Sequence, residues 1–165
     1  MITNQAYIDG KGGTKLKAAK RVNIVSIKLC KESSVLYEPR YINNPRDAVD
    51  LVQEDLANCD REKIIAICLD TKHQPTAVTT ISMGTINSSL VHPREVFKTA
   101  ILSNSAAIIL AHNHPSGKPE PSNDDINITK RLVDAGTVLG IDVIDHVIIG
   151  AANGQYKSMR ELGLI

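Results

Sequence analysis

The chain has 165 residues, 42% of them hydrophobic, which is enough to bury one core and too few for two. Lys and Arg number 19 and Asp and Glu 18, so a net charge of +1 supplies no global field toward nucleic acid or an anionic membrane. Aromatics make up 3%, leaving few platforms on which bases could stack, and three cysteines (Cys30, Cys59, Cys68) without Cys-x-x-Cys spacing argue against a disulfide framework or a thiolate zinc knuckle and fit a reducing, cytoplasmic setting.

Residues 1–44 read as an N-terminal arm plus an accessory strand. The first twenty are polar, with Gly10, Gly12 and Gly13 near Lys11, Lys15, Lys17, Lys20 and Arg21. Walker spacing is missing and no buried strand precedes these glycines, so the stretch is a solvated lead-in rather than a phosphate loop. If nucleic acid is a partner, this basic arm is where it binds. Met1-Ile2-Thr3-Asn4 starts no signal peptide, and apolar runs such as Ala106 to Ala111 are too short to span a bilayer, so no membrane partner is expected. Val22, Ile24, Ile27 and Leu29 alternate with polar residues, with one change of phase, and predict a half-exposed strand that could extend the main sheet or pair with another copy in a homodimer.

The main domain is placed at residues 45–165. Asn44-Pro45 opens a helix as N-cap and first helical residue, and Ala48, Val49, Leu51, Val52 and Leu56 repeat at helical spacing. Lys63 to Leu69 is nearly continuous in apolar residues, as in a central strand buried on both faces, with Cys68 a small core residue. Asp70-Thr71-Lys72-His73 supplies a turn, His73 being exposed, and the Thr- and Val-rich stretch Ala77 to Met83 returns antiparallel. A second helix starts at His92-Pro93, buries Val96, Phe97, Ala100 and Ile101, and ends near Asn104. A short buried strand, Ala106 to Ala111, follows. Ser122 caps a helix that runs to about Leu139, packs through Ile126, Ile128 or Thr129, Leu132 and Val133, and stops at Gly140. Ile141 to Ile149 forms another core strand, Asn153-Gly154 a turn, and Ser158 to Leu162 a short terminal helix. The fold class is α/β or α+β, a mixed central sheet flanked by helices, without internal repeats.

Chemistry concentrates in His112-Asn113-His114-Pro115-Ser116-Gly117 and the residues that follow, up to Asp125. Residues two apart on a strand point to one side, so His112 and His114 can reach a common point while Asn113 faces away. Gly117, Pro119 and Pro121 shape a loop that ends at Ser122, with Asp125 in the first helical turn. Two imidazoles and one carboxylate leave a fourth position open, the usual arrangement of a catalytic zinc. Ser-x-x-Asp is also an ordinary helix start, but the whole His-x-His-x7-Ser-x-x-Asp pattern should arise by chance in roughly one chain in a few thousand. Glu120 and Asp124 could bind metal in principle, yet Asp124 points roughly 100° away from Asp125 around the helix. His146 reads as a core or partly buried histidine bonded to a neighbour rather than a group orienting a zinc ligand, and Asp145 and Asp142 share that ambiguity.

This pattern resembles the JAMM signature of MPN-domain metallopeptidases. Val91-His92-Pro93-Arg94-Glu95-Val96-Phe97, the His112 to Gly117 word and Asp145-His146-Val147-Ile148-Ile149-Gly150 resemble its RadC-like branch, over about residues 45 to 165. The resemblance implies an MPN-type, cytidine-deaminase-like sandwich, zinc held by His112, His114 and Asp125, and Ser122 helping to hold an oxyanion. It also implies a glutamate base between the first helix and the next strand, which nominates Glu62. Glu95, in the first turn of a later helix, is the runner-up, and its acidity is already explained by the helix dipole.

The function expected on this basis is zinc-dependent hydrolysis of an amide bond in a peptide or protein substrate, as by a metallopeptidase or isopeptidase. The alternative is a DNA-repair-associated protein of the RadC type that binds or processes nucleic acid, although RadC-like chains often carry a further N-terminal helical domain for which this sequence is too short. A scaffold that has lost its chemistry is the third reading.

Overall fold

A computed structural model describes residues 22–57, 59–84, 91–150 and 154–165. The basic arm of residues 1–21 and the Asn153 half of the expected turn lie outside them. Three helices and five strands are assigned: α1 Pro45–Ala57, β1 Lys63–Leu69, β2 Pro75–Met83, α2 Pro93–Leu102, β3 Ala107–His114, α3 Asn123–Leu139, β4 Asp142–Gly150 and β5 Tyr156–Ser158. The strands form one mixed sheet in the order β2-β1-β3-β4-β5. β1 runs antiparallel to both β2 and β3, β3 parallel to β4, and β4 antiparallel to β5. The chain crosses over twice, from β2 past β1 to β3 through α2 and from β3 to its parallel neighbour β4 through α3, and the second passage carries the helix that faces the His112 end of β3.

Local chemistry explains where the helices begin. Asn44 Oδ1 accepts from the Asp47 N–H at 3.1 Å, and Asp47 Oδ2 accepts from the Asn44 N–H at 3.2 Å, a reciprocal cap ahead of Pro45. His92 Nδ1 accepts from the Arg94 N–H at 3.2 Å with Pro93 at the first helical position.

The sheet is covered on both faces. Val49, Val52 and Leu56 of α1 bury Ile65, Ile67, Ile109, Ala111, Val147 and Ile149. Val96, Phe97 and Ala100 of α2 and Ile128 and Leu132 of α3 bury Ile64, Ala66, Cys68, Ile108 and Leu110. Every residue of β1 is buried, as its unbroken apolar run requires of a central strand. β3 is buried throughout except at His114, which opens at the strand's end.

Four expectations are corrected. Ile101, expected on the buried face of α2, is 53% exposed, one step round the helix from Ala100. Residues 22–36 enter no strand; Ile24 is 93% exposed and Ile27 70%. The phase change explains this: Val22 and Ile24 fall on one face and Ile27 and Leu29 on the other, so no continuous apolar face exists to dock. The terminal helix is a single turn after β5, with the Leu162 N–H on Ser158 O at 3.1 Å and Gly163 at φ +70° ending it. The buried stripe of α3 is Asp125, Ile128, Thr129, Leu132 and Gly136, with Ile126 and Val133 at its margin. Gly84 and Gly154 have positive φ, and Gly154 N–H bonds back to Gly150 O at 3.2 Å.

The exit of α3 depends on two glycines. Gly140 takes the left-handed conformation at φ +68°, and its N–H and that of Ile141 both bond to Gly136 O. A Cβ at Gly136 would stand 2.4 Å from Ile141 O and 3.3 Å from Phe97 Cζ. Gly136→Ala should therefore destabilise the fold by about 1–3 kcal/mol despite the better helix propensity of alanine, seen as a lower urea midpoint at unchanged m-value.

Candidate metal centre

The sheet registers bring the histidines to their place. β1 pairs with β3 so that Ile64 lies opposite His112, and continuing that antiparallel register two residues sets Glu62 across from His114. Asn113 points to the other face, as the period of two requires, and is fully buried. Its Oδ1 accepts from the Lys63 N–H at 2.8 Å and its Nδ2 donates to Arg61 O at 3.1 Å. One carboxamide thus holds the backbone on both sides of Glu62, while the Glu62 carbonyl accepts from the Gly84 N–H at 2.8 Å.

Asp125 arrives from the other direction, in the first turn of α3. Ser122 and Asp125 form a reciprocal cap: Ser122 Oγ accepts from the Asp125 N–H, and Asp125 Oδ2 accepts from the Ser122 N–H at 2.8 Å and from its hydroxyl at 2.6 Å. With Oδ2 engaged twice, Oδ1 faces His112 Nε2 at 3.3 Å. His114 Nε2 lies 3.5 Å from Asp125 Oδ2 and 2.9 Å from His112 Nε2. Donor atoms on a tetrahedral zinc at about 2.0–2.1 Å stand roughly 3.3 Å apart. The three side chains fit that spacing, and they are the group able to hold a metal ion found among the described residues. The other nitrogen of each ring is held away from the triad, His114 Nδ1 by Lys118 O at 2.7 Å and His112 Nδ1 by His146 Nε2 at 2.8 Å, so that both Nε2 atoms converge on Asp125.

Burial sorts the protons. It is the largest influence on His112, holding the ring well below its usual pKa, with His146 acting in the same direction. His146 is pushed down to about 4 by burial. His114 is raised, chiefly by its hydrogen bond to Asp125, and the nearby charge of Glu62 adds to this. Burial alone would raise Asp125, but hydrogen bonding to His114, the charge of His112 and the bonds from Ser122 together hold it far below the usual carboxylate range.

An open groove of about 660 Å³ reaches the triad from outside, lined by His114, Ser116, Gly117, Lys118, Pro119, Glu120 and Gln155. Its floor is therefore one partly exposed metal-site histidine, while His112 and Asp125 lie beneath it.

Residues 42–164 match the RadC-like JAB domain. The chain belongs to that family. It is 54% identical over 124 residues to a UPF0758 protein of Desulforamulus reducens, covering 75% of this chain and 54% of that protein. A UPF0758 protein of Desulfitobacterium hafniense is 48% identical over 151 residues, 92% of this chain and 63% of its own length. One from Methanosarcina mazei is 42% identical over 164 residues, 99% of this chain and 70% of its own length. The chain thus spans little more than half to two thirds of the first two relatives, and the UPF0758 name assigns no activity.

Within this JAB domain the structure brings together His112, His114 and Asp125, sets Ser122 on Asp125, and leaves Glu62 half-buried beside His114. Glu95 is elsewhere: it is exposed on α2 and paired with Lys98, which lowers its pKa, and with Arg94. Glu120 lies on the groove rim and Asp124 is exposed. Asp145 is a structural anchor, accepting from Ser158 Oγ at 2.7 Å and from the N–H groups of His146 and Arg160. Asp142 is exposed. His146 is the core histidine bonded to a neighbour that its strand suggested, but that neighbour is His112, so it does touch the candidate metal centre. No helix among the described residues is long and apolar enough to cross a membrane.

The raised His114 value fixes the sign of a pH effect. In the metal-free protein it contributes stability that is full below the unfolded histidine pKa of about 6.5 and is lost as the pH rises through the folded value. A metal needs the unprotonated ring and acts in the opposite sense. The increment in melting temperature produced by a fixed zinc concentration should therefore grow between about pH 6 and about pH 8, with net proton release on binding that calorimetry in two buffers of different ionisation enthalpy would count.

Proposed function

We propose that the chain is a zinc-dependent hydrolase that cleaves an amide bond in a peptide or protein. The observation that carries this reading is the convergence of two imidazoles and one carboxylate at tetrahedral spacing beneath an open groove. Three protein ligands leave a position for a reacting molecule, whereas structural zinc sites are closed by four. Two His and one Asp suit zinc among the common divalent ions, and a zinc ion so held supplies a Lewis acid that brings water's pKa to about 7.

The protein's own groups supply the proton traffic. Glu62, across from His114 on a backbone clamped by Asn113, takes a proton from the attacking water and returns it to the leaving amine. Ser122 Oγ–H rests on Asp125 Oδ2, and turning its donor outward would offer it to the oxyanion that forms on the substrate carbonyl. In the resting arrangement the same hydroxyl orients the carboxylate. A peptide fits the groove better than a phosphodiester, since among the described residues Lys118 is the one Lys or Arg lining it and Glu120 stands beside it.

Glu62→Gln should keep the metal and the melting temperature while lowering turnover by about 10²–10⁴. Zinc-loaded protein assayed on a mixed peptide library, isopeptide-linked substrates and a phosphodiester gives the test. Cleavage of peptide or isopeptide by wild type and not by Glu62→Gln is the expected result; inertness toward every amide substrate contradicts the proposal.

A further inference from the structure

We infer that Thr129 and His146 form a positioning relay that fixes His112 in the form protonated on Nδ1, so that Nε2 presents its lone pair to the metal. The inference rests on the metal-centre reading and adds two residues to it, neither of them a ligand.

Hydrogen-bond direction fixes each proton in turn. Thr129 Oγ1 lies 2.6 Å from Asp125 O and 2.6 Å from His146 Nδ1. A carbonyl can only accept and a hydroxyl carries one proton, so that proton goes to Asp125 O. His146 Nδ1 must then be the donor to Thr129. In a neutral ring the other nitrogen, Nε2, is an acceptor, and it stands 2.8 Å from His112 Nδ1, which is therefore the donor in that pair. His112 Nε2 then carries no proton; it faces Asp125 Oδ1 at 3.3 Å and accepts from His114 Nε2 at 2.9 Å while that ring is protonated. All three members of the relay are fully buried or nearly so. His114 takes the same tautomer by a shorter route once its ring is neutral, because the Lys118 carbonyl at 2.7 Å demands a proton on its Nδ1.

The relay also closes on itself. It begins on the backbone carbonyl of Asp125 and ends on His112, so one continuous run of bonds joins two ligands from different elements. An irregularity in β4 makes this geometry possible. The β3–β4 register shifts between Ile108↔Val143 and Ile109↔Asp145, leaving Ile144 as an extra residue. Without that bulge, strict alternation from Val143 would aim Asp145 at the α3 face and His146 away from it. With it, His146 pairs with Leu110 and shares the face of His112.

The test uses the intact chain and zinc itself. Thr129→Val keeps the shape of the side chain and removes the hydroxyl; Thr129→Ser keeps the hydroxyl; His146→Leu removes the second link. Zinc affinity is measured by chelator competition, and the tautomer of His112 is read from ¹H–¹⁵N spectra of histidine-labelled, metal-free protein. The relay predicts His112 protonated on Nδ1 in wild type, an affinity about 10- to 100-fold weaker in Thr129→Val and His146→Leu, and recovery in Thr129→Ser. A melting temperature within a few degrees of wild type in Thr129→Val separates this from loss of packing. Wild-type protein that binds zinc with His112 protonated on Nε2 when metal-free, or with unchanged affinity in Thr129→Val, overturns the relay alone. Wild-type protein that binds no zinc overturns the metal reading and the relay with it.

Discussion

A buried carboxylate at a helix start is the constraint on which the rest of the structure depends. Asp125 is 2% exposed, and such a charge is tolerated only where bonds and opposite charge compensate for lost hydration. The compensation comes from two sources that belong to different parts of the fold. Ser122 and the first turn of α3 supply donors from one side, and the imidazoles at the end of β3 face it from the other. Asp125 can occupy this place only if α3 crosses back over the sheet with its N-terminus directed at the C-terminal end of β3. The parallel β3–α3–β4 passage, the Gly136–Ile141 approach that turns α3 into β4, and the packing of Ile128 and Leu132 all serve that docking.

The two faces of β3 then divide the labour. Leu110 and His112 face α3, so the strand passes without interruption from core to ligand. Asn113 faces α1 and reaches across to the start of β1, where it fixes the backbone around Glu62. A period of two thus places the candidate ligands on one side and the carboxamide that steadies the backbone at Glu62 on the other. The groove lies where these meet, at a strand end on a rigid sheet, which is where functional groups are best held within a fraction of an ångström.

Much of this could be read from residues whose local signals agree. The apolar run of β1, the caps at Asn44 and Ser122, the stop at Gly140 and the His-x-His pair each point to what the fold contains, because local preference and tertiary packing favour the same outcome there. The misreadings arose where long-range pairing decides. Residues 22–29 alternate like a strand, but alternation does not supply a neighbour, and the phase change denies them a single face. His146 reads from sequence as a core histidine bonded to some neighbour; that the neighbour is His112 follows from a register shift at Ile144, invisible in the sequence, that reverses which β4 side chains face α3. Thr129 looked like one more packing position of α3, and its hydroxyl matters only because β4 brings an imidazole to it. Asn113 was correctly placed facing away from the ligands, while its role required knowing that β1 begins opposite.

The central claim is that His112, His114 and Asp125 are a metal centre and not a capped helix beside two core histidines. Elemental analysis of protein purified without chelator, comparing wild type with Asp125→Ala, tests it most directly. The account predicts about one zinc per chain in wild type and almost none in Asp125→Ala, with the variant still folded by circular dichroism. Wild-type protein that is metal-free and cannot be reloaded, or Asp125→Ala that retains its zinc, would contradict it.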